Sequence, residues 1–145
     1  MDRTMRRFRL LLIVTAIACA SQSGSPLVSI RQLSAVAPLR IAIQGGLPVE
    51  YEIEITNPFD HPVTLTSIEV ETIGDSGAYS MKRVRHAFSQ DIAPRAVATV
   101  VFRAWVQTLL ESETGVVSSP TSVRGIARFN STAGKTQTAF AARVQ

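Results

Sequence analysis

The chain of 145 residues has a single cysteine, Cys19, so no disulfide can form within it and no cysteine-based metal cluster can be built. It has only two histidines, His61 and His86, each flanked by residues that read as loops or edges rather than as a buried catalytic dyad. No G-x-S-x-G elbow, H-E-x-x-H pair, phosphate-binding loop or glycine-rich dinucleotide fingerprint occurs. Asp60, Asp75 and Asp91 stand one per loop without Asp-x-Asp spacing, which speaks against a calcium loop. The expectation is a chain with no catalytic residue, no metal and no cofactor. No apolar run approaches the ~20 residues a membrane-spanning helix needs. Leu10 to Ala18, nine residues, is the greasiest stretch.

Charge of one sign is also scarcer than it first looks. The formal net charge is +4, but Arg3, Arg6, Arg7 and Arg9 supply four of the fifteen bases. From residue 19 onward eleven bases face ten acids, a net of +1, and a nucleic-acid partner is excluded on that balance. Hydrophobic residues at 46% against 18% charged residues mark a globular chain with room for one domain.

The first 18 residues have a basic start, a short apolar stretch and a small-residue zone, the order of a cleavable secretion signal, expected to be helical. Ala16-Ile17-Ala18-Cys19 resembles a lipobox, the bacterial lipoprotein motif in which a cysteine receives diacylglycerol before the peptide is cut. That resemblance implies cleavage between Ala18 and Cys19 and lipidation of Cys19. Ala16 departs from the leucine usual there, and ordinary signal-peptidase cleavage at a small-x-small site is the alternative. Residues 19 to 26, with Ser21-Gln22-Ser23-Gly24-Ser25-Pro26, read as a flexible tether. By analogy with lipoprotein sorting, Ala20 and Ser21 in place of aspartate point to the outer membrane, facing the periplasm. A soluble periplasmic or secreted protein is the alternative.

From residue 27 to 145 the dominant hydrophobic period is two. Val49 to Thr56 alternates Val49, Tyr51, Ile53 and Ile55 with three glutamates, which predicts one buried and one wet face. Asn57-Pro58-Phe59-Asp60-His61-Pro62 is a turn by composition, and a hairpin into Val63 to Thr72 is its natural reading. The apolar phase of that return strand slips by one residue after Leu65, which predicts a bulge near Thr66-Ser67. Further strands are expected at Leu27 to Leu33, Leu39 to Ile43, Ala78 to Val84, Ala96 to Trp105, Ser122 to Asn130 and Thr136 to Val144. Val106 to Leu110 reads as a strand extension, a helical turn or a loop. The fold class is all-β: an immunoglobulin/fibronectin III-like sandwich of seven to nine antiparallel strands. Its expected core is led by Trp105, with Phe59, Phe88, Phe102, Phe129 and Phe140.

Tyr51 to Val70, an alternating strand running into Asn57-Pro58 and then a hydrophobic return strand, resembles the late embryogenesis abundant type 2 domain, also called the water-stress and hypersensitive-response domain. Arg124-Gly125-Ile126-Ala127-Arg128-Phe129 is a softer echo. The resemblance implies an immunoglobulin-like sandwich, no catalytic residues and a stress-related role.

Residues 50 to 75 hold seven acids and no base, whereas 82 to 103 hold five bases and one acid. Acidic and basic strands are therefore expected side by side. Lys82, Arg83 and Arg85 are the candidate contact for an anionic surface such as lipid headgroups. The expected function is a lipid-anchored, non-catalytic envelope domain that meets the membrane through its N-terminal lipid and an envelope protein through its sheets. A stress-protective domain is the alternative, a small exported enzyme the less favoured one, and the oligomeric state is open.

Overall fold

An extended chain with apolar residues at every second position can bury one side only by laying it against another sheet. The computed structural model describes residues 24–33, 46–74, 77–108 and 120–145, and within them the chain does this with eight strands. These are β1 (Leu27–Gln32), β2 (Leu47–Thr56), β3 (Val63–Thr72), β4 (Tyr79–Ser80), β5 (Val84–Ile92), β6 (Val97–Thr108), β7 (Thr121–Ser131) and β8 (Gly134–Val144). One sheet has the order β1-β2-β6-β4 and the other β5-β3-β7-β8, with every pairing antiparallel. The two inner faces meet as an immunoglobulin/fibronectin III-like β-sandwich.

Alternation decides which residues meet. Val49, Tyr51, Ile53 and Ile55 of β2 and Phe102, Ala104 and Val106 of β6 are buried in the same core as Val63, Leu65, Ile68 and Val70 of β3 and Val123, Ala127 and Phe129 of β7. One polar chain crosses this core. Tyr79 Oη donates to Gln32 Oε1 at 2.7 Å, so its single proton is committed and Tyr51 Oη must donate to Tyr79 across 2.6 Å. Burial pushes both phenols above their ordinary pKa. The slip in β3 is a bulge: its register against both β5 and β7 shifts between Leu65 and Ser67. The extra residue, Thr66, donates through Oγ1 to the Arg128 carbonyl at 3.0 Å.

Three expectations are corrected. β2 and β3 do not form a hairpin, because they belong to different sheets and residues 57–62 arch from one to the other. Asn57 makes the arch possible. It is fully buried, and its Nδ2 donates to the carbonyls of His61 (2.9 Å), Ile92 (3.2 Å) and Ala93 (3.0 Å), while the Phe59 N–H donates to its Oδ1 at 3.0 Å. The strand expected at Ala78 to Val84 is only the two-residue β4, and Val84 instead opens β5, a strand not anticipated. Its half-buried positions are Val84, His86 and Phe88, and Ser89, Gln90 and Asp91 after them are all exposed, which hides the alternation. Trp105 is not in the core: it lies 62% exposed on the outer face of β6, in phase with Arg103 rather than with Phe102 and Ala104. Val106 to Thr108 extend β6 as strand, which settles the described part of that stretch.

Pro26 is buried, and its carbonyl accepts from Thr138 Oγ1 of β8 at 2.7 Å, so the end of the expected tether is held against the sandwich. The signal helix, Ala18, Cys19 and the strand expected at Leu39 to Ile43 lie outside the described residues.

Candidate functional site

The outer face of the β5-β3-β7-β8 sheet concentrates charge because β7 and β8 bring further bases beside those of β5. Opposite β3, Glu69 is level with Arg85 on β5, and Glu71 is level with Arg124 on β7. The carboxylates are shared. Glu71 accepts from Arg83 Nη2 at 3.1 Å and from Arg124 Nε at 2.8 Å. Glu69 accepts from Arg128 Nη1 at 2.7 Å and lies 3.8 Å from Arg85 Nε. The Arg128 hydrogen bond holds the Glu69 carboxyl below the ordinary range, and the hydrogen bonds from Arg83 and Arg124 do the same for Glu71.

Two glutamates thus serve four arginines, and with Lys135, Arg143 and Asp91 this face holds six bases against three acids, while Lys82 is exposed in the loop next to Arg83. Between the charged side chains lies an open groove of about 570 Å³, floored by Ile126, Ala139 and Ala141 and bordered by Glu69, Glu71, Arg83 and Arg124. Chemically this is a positive, multidentate surface. Its guanidinium planes are fixed by glutamates and keep further N–H groups for an oxyanion.

The three bases singled out from the sequence fall on or beside this face and are all exposed. Arg83 and Arg85 are engaged with Glu71 and Glu69, which orients them. Arg124 and Arg128, on the far side of β3, complete the cluster. Their signal was the alternation of Arg124, Ile126 and Arg128 opposite Glu69 and Glu71, which becomes visible only once β7 is known to pair with β3.

The opposite sheet pairs its charges more evenly. Arg31 binds Glu52, and Arg103 binds Glu50, across adjacent strands. Acidic and basic segments therefore do lie side by side, on both sheets.

The histidines are not brought together. His61 stacks on Phe59, with ring centroids 5.0 Å apart. His86 points inward from β5 against Phe102, with centroids 4.6 Å apart, and burial lowers its pKa. Ile92 is level with Val63 and His86 lies six residues further along β5, roughly 20 Å from the arch that carries His61. Asp60 binds Arg95 Nε at 2.7 Å, and Asp91 accepts from Thr64 Oγ1 at 2.6 Å. Among the described residues no three His, Cys, Asp or Glu side chains gather closely enough to hold a metal ion.

No protein-family model matches the chain, and no curated protein matches it. Among solved structures, an X-ray structure of a Northeast Structural Genomics Consortium target is similar at a TM-score of 0.46 with 13% identity, over 83% of this chain and 81% of that one.

Proposed function

We propose that the chain is a lipid-tethered, non-catalytic domain of the bacterial envelope, anchored through Cys19, whose arginine-rich sheet face rests on an anionic surface. The observation that carries this reading is the cluster of Arg83, Arg85, Arg124 and Arg128 on only two glutamates, on a face with six bases against three acids. The magnitude suits a tethered protein. Basic residues near an anionic leaflet contribute about 1 kcal/mol each, so a face with three excess bases reaches about 3 kcal/mol. Alone, that corresponds to a Kd of about 6 mM. Such a face orients a domain already held at the surface and recruits little from solution. The anchor is near enough: Gly24 lies five chain steps beyond Cys19, at most about 18 Å of chain.

Vesicle sedimentation of the Cys19→Ala protein tests the electrostatic half. The expected result is weak binding to vesicles that contain an anionic lipid, lost at high salt and absent on zwitterionic vesicles. Lys82→Gln combined with Arg85→Gln is expected to weaken it by about 30-fold, the equivalent of two surface charges. Equal binding to both kinds of vesicle, or no response to salt, would refute the reading.

A further inference from the structure

β6 leaves most of one edge open. On one side it pairs with β2 from Val97 to Val106, while on the other only Gln107 and Thr108 are matched, by Ser80 and Tyr79 of β4. Among the described residues, nothing pairs with the second side of residues 97 to 106. Exposed edges are normally blunted by charge, proline or a bulge. β5, the edge of the other sheet, carries Arg85, His86 and Asp91. The open stretch of β6 is Val-Ala-Thr-Val-Val-Phe-Arg-Ala-Trp-Val, with one charge and no proline. Its outer face also carries three large exposed hydrophobics, Val97 (57%), Val101 (53%) and Trp105 (62%).

Val97 and Trp105 are spaced symmetrically about Val101, four residues to either side. We infer that β6 pairs antiparallel with β6 of a second copy, about a two-fold axis through Val101. In that register Val97 faces Trp105 of the second copy, Val101 faces its own equivalent, and Arg103 faces Thr99, so no like charges meet. On the inner side Ala98 faces Ala104 and Val100 faces Phe102. The pairing spans residues 97 to 105 and stops short of the two residues already taken by β4. Charge complementarity extends one strand further: Arg103 is flanked by Glu50 in its own chain, and Thr99, its partner across the axis, is flanked by Glu54. Each arginine thus sits between two acidic strands. The axis joins β1-β2-β6 of both copies into one continuous sheet and half-covers the apolar stripe. It is an isologous contact, which closes at two copies. Paired strands alone fall short of the ~1,200 Å² typical of stable interfaces, so the association is reversible and concentration-dependent. The inference does not rest on the lipid anchor.

Trp105 is the only tryptophan, which makes it a clean reporter. The Cys19→Ala protein is expected to pass from monomer to dimer in sedimentation equilibrium as concentration rises, with Trp105 becoming less accessible to acrylamide over the same range. Directly opposed residues on antiparallel strands have Cα atoms about 4.5 to 5.5 Å apart, within disulfide reach. On the Cys19→Ala background, Val101→Cys is therefore expected to give a covalent dimer on oxidation. Thr99→Cys is expected to give none, because its equivalents lie four residues out of register. Val101→Lys sets like charges on the axis and is expected to weaken the dimer at least tenfold, while Val101→Thr retains it; circular dichroism checks that each variant is folded. A monomer at every concentration would overturn the inference, as would equal trapping through Thr99→Cys and Val101→Cys.

Discussion

Asn57 carries four side-chain hydrogen bonds on one small buried carboxamide. Its carboxamide is fully buried and ties together two loops that approach from different sheets. Nδ2 donates to His61, Ile92 and Ala93 carbonyls, and Oδ1 accepts from the Phe59 N–H. The backbone adds two crossings beside it, Asn57 N–H to the Ala96 carbonyl at 2.9 Å and Arg95 N–H to the Phe59 carbonyl at 3.1 Å. Asn57→Ala orphans one N–H and removes the side-chain donor from three carbonyls. Net hydrogen bonds contribute about 1 kcal/mol each and a buried orphan costs about 1–3 kcal/mol. The expected loss is about 3 kcal/mol, a large fraction of the ~5–15 kcal/mol that stabilises a domain. Asn57→Asp is the sharper test. At neutral pH it turns a carboxylate oxygen toward three carbonyl oxygens, so it is expected to cost more than Asn57→Ala. Its folded-state pKa is raised by that repulsion and by burial, so the stability lost is recovered as pH falls through the raised value. Urea denaturation of wild type and both variants across pH measures this. An Asn57→Ala loss under about 1 kcal/mol, or an Asn57→Asp protein indifferent to pH, would refute the role given to the carboxamide.

Further outcomes are expected elsewhere. Tyr79→Phe takes the acceptor from the buried Tyr51 hydroxyl and removes the Tyr79 hydrogen bond to Gln32 Oε1, and is expected to lower unfolding free energy by about 2 kcal/mol in the same assay. Gly125→Val is expected to be more damaging than a typical core substitution, because even a Cβ at residue 125 comes within 2.4 Å of the Glu69 carbonyl oxygen on β3 and of the Phe140 ring. Loss of the cooperative thermal transition is the readout. Arg128, the arginine pair Arg83 and Arg124, and Arg95 hold Glu69, Glu71 and Asp60 respectively below their ordinary pKa. The stability they contribute is present above the unfolded-state values and lost as pH falls through the depressed ones. The urea midpoint should therefore fall as pH drops below the ordinary carboxylate range, and a flat profile there would contradict the ion-pair assignment.

Much of the architecture is legible in the residue pattern because a strand's two faces differ by a parity rule. β2, β3, β7 and β8 show it clearly, and the slip after Leu65 marked the bulge. Parity says nothing about which strand pairs with which. The arch at Asn57 was therefore indistinguishable from a hairpin turn until its four hydrogen bonds were seen. β5 is hidden in the sequence because an edge strand can place His86 on its half-buried side and leave Ser89, Gln90 and Asp91 exposed in a row. Size alone suggests a core place for Trp105, but parity opposes it: Arg103 shares its phase, and an arginine facing Glu50 points to solvent. The charged face was half legible. Acids and bases in separate segments implied adjacent strands, but the contribution of Arg124 and Arg128 needed the β3-β7 register, a contact between residues more than fifty positions apart.

The tether is the point on which the functional account turns, and mass spectrometry of the N-terminus of the native protein, with membrane fractionation, tests it most directly. The account predicts a chain that begins at Cys19 carrying diacylglycerol and sediments with membranes, and a Cys19→Ala protein without the lipid. Native protein that retains Met1, or begins elsewhere with no lipid, would contradict it.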